Sequence, residues 1–389
     1  MLKHLKDKAL NLLIMFCDFL AVKQRVYVKE KTLLLVRLDA IGDYVLFRNF
    51  IKVLKESERF RTYRFTLCGN VVWRDLSENY DKDYIDDFIW VDRAKFYSKH
   101  LLYRFRTLRH VGARGFETAI HSVYSRDFFW GDAIVRASQA RERIGSAGDL
   151  GNMVRWQKNC SDRYYTKLIA SSRINMFEFS RNKEFIQNLL GTAIDMAKPY
   201  VAVRPGKTEH FSGSAPVVLF PGAGKEFRRW SAKNFAEIAD YLDGKYKGPI
   251  LIAGGSNDRP LAERIISLAK SKRLKDVTGQ FSLSDLLDVL SKSSLLISNE
   301  TGAVHLAVLA GIKVLCISNG NHFGRFNPYP EEISDKVLYI YPKPIMDKLP
   351  DFDCLKEQYR FASPLNINDI GVQDVKMMID KVVHIAFRN

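Results

Sequence analysis

A chain of 389 residues exceeds the size of one ordinary hydrophobic core and predicts two domains. Hydrophobic residues make up 47% of it and aromatic residues 12%, which excludes a disordered chain. The formal net charge of +16 indicates an anionic partner, but charge alone does not choose among nucleic acid, an acidic or phosphorylated substrate and an anionic membrane surface. The 5 cysteines form no C-x-x-C pair, which argues against a disulfide framework and a zinc site and fits a reducing cytoplasm.

Residues 1–31 predict an amphipathic leader helix. The apolar stretch 9–22 contains Asn11 and Asp18 and is shorter than the ~20 residues that cross a bilayer. Helical spacing places on one face Leu2, Leu5, Ala9, Leu12, Leu13, Phe16 and Leu20. Two interpretations stay open: a helix docked on the body of the protein, and a helix lying in the surface of an anionic membrane. A cleaved signal peptide is disfavoured because Asp18 interrupts the apolar stretch and no convincing cleavage site follows.

Residues 32–198 predict a Rossmann-like N-terminal domain. The apolar run 32–37 is typical of a buried strand, and a turn and a helix over 43–56 follow it. Further strands are predicted at 65–68, 88–91 and 118–121, and a helix over 171–191. Strands that alternate with helices imply parallel β-α-β units.

The turn after the first strand ends in Gly42 and Asp43. It lacks the further glycines of the dinucleotide fingerprint, which argues against a nicotinamide or flavin cofactor. A carboxylate at the carboxyl edge of a sheet is placed to accept the proton of an acceptor hydroxyl as that oxygen attacks a sugar C1. The alternative is an aspartate that merely caps the helix.

The segment 100–116 is basic, contains aromatic residues and has no acid before Phe116. Its arginines suit phosphate or carboxylate groups because the guanidinium fork binds both oxygens of such a group. The candidate residues for binding such groups are Arg104, Arg106, Arg109 and, farther along the chain, Arg126. A solvated helix face is the alternative. Nucleic acid is not expected as a partner because no nucleic-acid-binding motif is present.

Residues 199–215 predict a linker, since they are rich in Pro, Gly and Ser without apolar periodicity. Residues 216–370 predict a second Rossmann-like domain, with strands at 217–220, 250–253, 295–298 and 314–318. We expect two doubly wound halves that face a cleft, with ligands at the carboxyl ends of the strands. The last segment, 371–389, predicts a helix that is a candidate to cross back to the first domain.

Two post-strand loops of the second domain are candidate phosphate sites. The loop 221–230 is not a Walker motif but combines glycines with cations, namely Gly222, Gly224, Lys225, Arg228 and Arg229. In the turn 298–306 a strand ends and a helix begins, so that backbone N–H groups face outward. There Gly302 permits close approach of a phosphate, and Thr301 and His305 add donors. The alternatives are a solvated basic loop and an ordinary β-α turn with a capping Thr and an inward-packed His.

Asp258 follows another strand of the second domain, after the glycines of the turn 254–258. It is a candidate acceptor for ribose hydroxyls, and the alternative is an acid in the first turn of a helix. The D-x-D sequences at 81–83 and 351–353 imitate a metal motif. Because neither clearly ends a buried strand, both are interpreted as loop acids and no metal site is predicted.

Five segments of the chain resemble the bacterial heptosyltransferase family, glycosyltransferase family 9. They are 33–43; 114–121 with 143–145; 219–224 with Arg229-Trp230; 277–283; and 298–307 with Arg325 and Pro328-Tyr329. They follow the family's order and spacing across about residues 32–330. The resemblance implies a GT-B fold and an inverting, metal-independent transfer of heptose from ADP-heptose, with no cofactor beyond the nucleotide sugar.

Carried over to this chain, the resemblance makes Asp43 the catalytic base and Arg228 or Arg229 the cation that compensates leaving-group charge. With the candidate turns, the predicted donor-binding residues are Gly222, Gly224, Lys225, Asp258, Glu300, Thr301, Gly302 and His305. The implied acceptor is an anionic glycan or glycolipid such as the lipopolysaccharide core, which makes the four arginines Arg104, Arg106, Arg109 and Arg126 the predicted acceptor-binding residues. The implied location is the cytoplasm, with contact to the inner face of the cytoplasmic membrane left open.

Glu300 departs from the family, which usually has aspartate at that position. A different nucleotide sugar therefore remains an alternative, as does a protein acceptor. A second alternative is a basic binding protein without activity, which the intact base, turn glycines and cations disfavour.

Overall fold

The computed structural model describes residues 2–202 and 214–386, with side chains at 8–202 and 214–382. The chain divides into two units: unit 1 contains the residues up to 174 and 179–195, and unit 2 contains 175–178 and the residues from 196 onward. The change of unit at 195/196 lies close to the predicted boundary at 198/199. Most of the predicted linker 199–215, namely 203–213, lies outside the described residues.

Unit 1 is built on one parallel sheet. Its strands are β1 (Lys29–Arg37), β2 (Arg64–Asn70), β3 (Asp87–Val91), β4 (Phe116–His121), β5 (Glu142–Ser146) and β6 (Lys167–Ile169). Its helices are α1 (Leu2–Ala21), α2 (Ile41–Val45), α3 (Asn49–Glu56), α4 (Arg74–Tyr80), α5 (Arg93–Phe96), α6 (Leu101–Arg114), α7 (Gly131–Ser138), α8 (Arg155–Ser161) and α9 (Glu178–Leu190). The first residue of α9 belongs to unit 2.

The strand order of unit 1 is β3-β2-β1-β4-β5-β6, with parallel neighbours throughout. The chain starts at the centre with β1, moves to one edge, and returns to the centre with β4. The turns after β1 and β4 therefore lie at the point where open α/β sheets bind ligands. The predicted Rossmann-like domain is confirmed. The helix predicted from 171 begins at Glu178 instead, because Ser171 and Ser172 hydrogen-bond to the Glu184 side chain.

Unit 2 repeats this architecture. Its strands are β7 (Val217–Phe220), β8 (Ile250–Ile252), β9 (Leu274–Asp276), β10 (Leu295–Asn299), β11 (Lys313–Ile317) and β12 (Val337–Ile340). Its helices are α10 (Ala232–Lys245), α11 (Arg259–Leu268), α12 (Leu283–Ser291), α13 (Gly302–Ala310), α14 (Lys343–Met346), α15 (Phe352–Tyr359) and α16 (Val372–Ala386). The order β12-β11-β10-β7-β8-β9 places the reversal between β7 and β10. The second predicted doubly wound domain is thus also confirmed.

Helix α16 packs within unit 2. Its Val375, Ile379 and Val382 share a buried core with residues of α10 and the sheet. The Asp380 carboxylate accepts a hydrogen bond from the Tyr241 hydroxyl at 2.6 Å and pairs with Lys245 at 2.7 Å. Helix α16 is thus bound to α10 by apolar packing and by Asp380, and its crossing back to the first domain stays a prediction.

The leader helix α1 is docked on unit 1 by a buried ion pair. Arg104 of α6 is completely buried and donates from Nε and Nη2 to the Asp18 carboxylate, at 2.5 and 2.7 Å. Its Nη1 donates to the backbone oxygens of Phe96 and Phe129. This corrects the assignment of Arg104 to acceptor binding, because its guanidinium is engaged by protein groups and withdrawn from solvent.

The orientation of α1 shows which side of the helix docks. The residues that dock on unit 1 are Ile14, Cys17, Asp18 and Ala21. Leu12, Leu13, Phe16 and Leu20, predicted to share one face, are all exposed, so that face is not the docked one; the side chains of Leu2 and Leu5 lie outside the described residues. Within the described residues, every helix is too short or too polar to span a membrane.

Replacing Arg104 with alanine should release α1. It leaves the buried Asp18 charge without its partner, which costs about 3 kcal/mol or more, so the amides of α1 should exchange hydrogen roughly a hundredfold faster. Hydrogen-exchange mass spectrometry of peptides from residues 8–23 measures this. Arg106→Ala, an exposed position on the same helix, is the matched control; equal exchange in the two variants would contradict the docking role of Arg104.

Candidate functional site

The turn between β10 and α13 in unit 2 is stabilised by hydrogen bonds of its own side chains. Thr301 caps α13, and its Oγ1 accepts a hydrogen bond from the Ala303 backbone N–H at 3.2 Å. The Ser298 hydroxyl lies 3.4 Å from the same oxygen. Gly302 is the first helical residue, so no side chain crowds the start of α13. The helix begins at the carboxyl edge of the sheet, where its dipole favours an anion.

Asn299 joins this turn to the loop after β7. Its buried side chain donates to the Pro221 carbonyl oxygen at 2.6 Å and accepts from the Trp230 backbone N–H at 3.2 Å. The two ends of the loop 221–230 are thereby tied to the end of β10. Sequence reasoning did not single out Asn299 as a site residue. The available signal was an amide side chain directly after an otherwise apolar strand.

Arg228 and Glu300 form a half-buried ion pair beside the turn. The Arg228 Nη2 atom lies 2.8 Å from Glu300 Oε2 and donates to the Glu300 backbone oxygen at 2.6 Å. Burial raises the pKa of the Glu300 carboxyl, while the nearby Arg228 charge opposes that rise. Among the described residues, Arg228 Nε is buried without a hydrogen-bond partner. A cation so close to the N-terminus of α13 adds to the positive potential there.

His305 is buried on the first turns of α13. Its Nδ1 lies 2.6 Å from the Tyr329 hydroxyl, and Tyr329 also packs on Phe177. Burial, with a smaller effect of the Arg228 charge, lowers the pKa of His305 to about 4, so the ring is neutral at pH 7. A neutral ring either accepts at Nδ1 from Tyr329 and carries its hydrogen on Nε2, or donates from Nδ1 to the Tyr329 oxygen. The alternative of a His that packs inward is therefore correct for Nδ1, which contacts Tyr329. Contact between His305 and the nucleotide sugar stays a prediction.

Asp258 lies between the loops that follow β7 and β8. Its Oδ2 accepts a hydrogen bond from the Gly255 N–H at 3.0 Å. A Cβ atom added at Gly222 would come within 2.5 Å of the same oxygen, so packing against Asp258 explains that glycine. Asp258 therefore acts as the acid at a helix start that was the alternative for this residue, and its contact with a ribose stays a prediction.

Two predicted donor residues, Gly224 and Lys225, and the predicted catalytic cation Arg229 are exposed in the loop 221–230. Arg229 donates to the Ala223 carbonyl oxygen at 3.0 Å, and its Nη2 lies 4.0 Å from Asp258 Oδ1. Lys225 is exposed. A Cβ added at Gly224 would meet no atom within 4 Å, so protein packing does not require that glycine. Close approach of a ligand at Gly224 stays a prediction.

In unit 1, Asp43 lies in the first turn of α2 and is half-exposed. The turn before it is fixed by Arg37, which is fully buried at the end of β1. Arg37 Nη2 pairs with Asp39 at 2.5 Å and donates to the Asp43 backbone oxygen at 3.2 Å, while Nη1 donates to Ser122 at 3.0 Å. Sequence reasoning placed Arg37 in the strand and missed this role. A lone cation at the end of an apolar run was the signal.

The turn after β4 contains a buried polar network that corrects the assignment of Arg126 to acceptor binding. Arg126 is 1% exposed, lies 3.5 Å from Asp132 and also pairs with Asp162. The Tyr165 hydroxyl donates to Asp132 at 2.5 Å. Burial favours a raised pKa of Asp132, but the His121 hydrogen bond and the Arg126 charge outweigh it and the pKa is lowered. Arg126 therefore compensates a buried carboxylate.

Arg106 and Arg109 are exposed on α6, so their proposed contact with an acceptor stays a prediction. The two D-x-D sequences differ in the structure. Asp81 lies in a turn, as expected of a loop acid, but it is buried, pairs with Arg48 at 2.6 Å and accepts a hydrogen bond from the Tyr44 hydroxyl at 2.6 Å. Asp351 caps α15 by accepting from the Cys354 N–H, and Asp353 is exposed. Over residues 2–202 and 214–386, the structure assembles no group of three or more His, Cys, Asp or Glu side chains suited to a metal.

Comparison with known sequences identifies a family profile. Residues 133–349, more than half of the chain, match the family described as "Glycosyltransferase family 9 (heptosyltransferase)". A curated relative, lipooligosaccharide heptosyltransferase 2 of Campylobacter jejuni, is 27% identical over 154 residues, which is 38% of this chain and 48% of that protein. The chain thus matches about half the length of that relative.

Two solved structures share the fold. A glycosyl transferase family 9 protein from Veillonella parvula has a TM-score of 0.67 at 17% identity, covering 92% of this chain and 98% of the other. The E. coli heptosyltransferase WaaC, solved with ADP-2-deoxy-2-fluoro heptose, has a TM-score of 0.66 at 13% identity, covering 90% and 99%. These likenesses confirm the predicted GT-B fold class.

His305 should make the stability of unit 2 depend on pH. Its pKa in the folded chain, about 4, lies below the ordinary 6.5, so the unfolded chain binds the proton more readily. Its contribution to stability is complete above pH 6.5 and is lost as the pH falls toward 4, by up to about 3 kcal/mol. Urea unfolding of the protein and of His305→Gln across this range tests it. The variant should show the weaker pH dependence, and identical dependence in both proteins would refute the assignment.

Proposed function

Because the chain belongs to glycosyltransferase family 9, we propose that it transfers a heptose from ADP-heptose to a hydroxyl of an anionic bacterial glycan such as the lipopolysaccharide core. The main structural support for this proposal lies in unit 2. The loop 221–230 and the turn before α13 lie at the reversal of strand order, are tied together by Asn299, and bring Arg228 to the helix N-terminus. A diphosphate fits the positive potential of this arrangement.

The donor side of the reaction is assigned to these residues. The diphosphate binds at the N-terminus of α13, where Thr301 and Gly302 form the turn, and Arg228 or Arg229 faces the leaving group. Negative charge grows on the diphosphate as its bond to the sugar C1 breaks and the electron pair moves to the departing oxygen. Cations and helix dipoles fixed beforehand stabilise that charge, which is commonly the largest contribution to such catalysis. The E. coli relative solved with an ADP-heptose analogue supports the choice of donor.

The acceptor side is assigned to Asp43. Its carboxylate accepts the proton of the acceptor hydroxyl while that oxygen forms a bond to C1 on the face opposite the leaving diphosphate, which inverts the anomeric centre. The buried Arg37 supports this role by holding the turn that carries Asp43. Since Arg228 and the helix N-terminus supply the positive charge, the proposed reaction needs no metal.

Glu300 keeps a different nucleotide sugar as the second candidate. The Glu300 carboxylate is paired with Arg228, which we place next to the leaving diphosphate. If Glu300 affects which sugar is transferred, it does so from this position. A panel of ADP-, UDP- and GDP-sugars, with product detection by mass spectrometry, separates the candidates. Turnover of a UDP- or GDP-sugar without turnover of ADP-heptose would overturn the heptose assignment.

We expect Asp43→Asn to lower transfer from ADP-heptose by about a hundredfold or more, because an amide does not take up the acceptor proton. The affinity for ADP should remain nearly unchanged. Steady-state product formation and calorimetric titration of ADP measure the two quantities. Asp83→Asn, an exposed acid of unit 1, serves as the control. Full turnover by Asp43→Asn would remove Asp43 as the base.

Neutralising Arg228 and Glu300 in turn should shift ADP affinity in opposite directions. Arg228→Gln removes a cation from the diphosphate site and should weaken ADP binding about tenfold. Glu300→Gln removes the carboxylate that offsets that cation and should tighten binding by several-fold. Calorimetric titration of ADP into both variants gives the result. Weaker binding in both, or no change in either, would contradict the electrostatic role of the pair.

A further inference from the structure

The outward face of α1 is an apolar surface that the fold leaves uncovered. Its exposed residues lie at positions i, i+1, i+4, i+7 and i+8, which share one side of a helix. They are Leu12 (68% exposed), Leu13 (53%), Phe16 (61%), Phe19 (46%) and Leu20 (40%). Single exposed apolar residues are common, but a contiguous group of large ones marks an interaction surface.

The opposite face of α1 fixes the direction of this surface. Ile14 packs with Phe128 and Phe129, and Ala21 joins the core of unit 1. The Asp18–Arg104 ion pair sets the rotation of the helix about its axis. These docking contacts lie on one side of α1. The five exposed apolar residues lie on the other side of the helix and point away from the body of unit 1.

Exposed cations lie along α1, just after it and on the helix packed against it. Lys8, Lys23 and Arg25 are exposed along the helix and just after it, and Lys23 Nζ lies 4.3 Å from the centre of the Phe19 ring. Helix α6 packs alongside and adds the exposed Arg106 and Arg109. Asp18 is the single acidic residue among residues 8–29, and Arg104 compensates its charge.

We propose that the outward face of α1 inserts into the headgroup region of an anionic lipid bilayer and holds unit 1 at the membrane surface. Apolar side chains enter the boundary with the acyl chains, and the flanking lysines and arginines bind lipid phosphates; the two contributions add. The five apolar residues of this surface are separate from the residues assigned to the donor and to the catalytic base, and the proposal does not depend on that assignment.

Charge favours lipid over a second copy of the chain as the occupant. Two such faces in contact would bring their lysines and arginines together, and like charges at an apolar contact oppose association. An anionic bilayer supplies both an apolar layer and the opposite charge. The surface therefore matches a lipid interface more closely than it matches itself.

Sedimentation of the full chain with lipid vesicles tests the proposal. The protein should bind vesicles of phosphatidylcholine with phosphatidylglycerol, bind weakly to phosphatidylcholine alone, and lose affinity as salt is raised. Phe16→Asp should weaken binding to the anionic vesicles by roughly tenfold to a hundredfold, the value of one large apolar side chain. Met377→Asp on α16, an apolar residue with a similar exposure of 57%, is the matched control and should bind like the unchanged protein.

Two outcomes would overturn the proposal. One is equal vesicle binding by Phe16→Asp and the unchanged protein. The other is concentration-dependent dimerisation without vesicles that Phe16→Asp abolishes, which would make a second copy the occupant. ADP titration of the same samples keeps this test separate from the transfer reaction, since Phe16→Asp should bind ADP normally. Unchanged hydrogen exchange in α1 of the variant establishes that the helix stays docked.

Discussion

The reversal of strand order between β7 and β10 is the constraint on which the candidate site of unit 2 depends. The chain leaves the centre of the sheet in one direction after β7 and in the other after β10, so the two following loops diverge from adjacent strand ends. Asn299 then joins those loops through hydrogen bonds to Pro221 and Trp230. Without the adjacent strands, Arg228 and the N-terminus of α13 would be separate features of the surface.

Paired charges, buried or half-buried, fix the turns of both units. Arg37 holds the turn before Asp43, and Arg228 is held against Glu300 and its backbone oxygen. A buried charge is costly unless it is paired, so each of these side chains has few alternative positions. Such fixed positions suit catalysis, because a prearranged charge needs no reorganisation during the reaction. The same argument applies to Arg104, whose pairing with Asp18 orients a whole helix.

Much of the fold follows from the sequence. Apolar runs such as Leu33–Val36 and Leu295–Ile297 become buried central strands, since a strand covered on both faces must be apolar throughout. The turns at Asp43 and Thr301 were also located correctly, because both directly follow such runs. Site residues whose role depends on a neighbouring loop, such as Asn299, were missed because their partners are distant in the sequence.

The arginines and the leader helix show where local pattern is insufficient. Arg104, Arg106 and Arg109 look alike in the sequence, yet Arg104 is buried and the other two are exposed. The difference comes from Asp18, 86 residues away, which supplies the opposite charge. In α1, apolar residues occupy two sides, and periodicity alone does not tell which side packs. The structure resolves this through the ion pair, and the more apolar stripe faces outward.

Binding of the donor diphosphate by the two loops at the strand reversal of unit 2 is tested by hydrogen-exchange mass spectrometry with and without saturating ADP. We expect ADP to slow exchange in the segments 221–230 and 299–306 and to change the rest of unit 2 little. Absence of ADP binding, or protection confined to other segments, would contradict it.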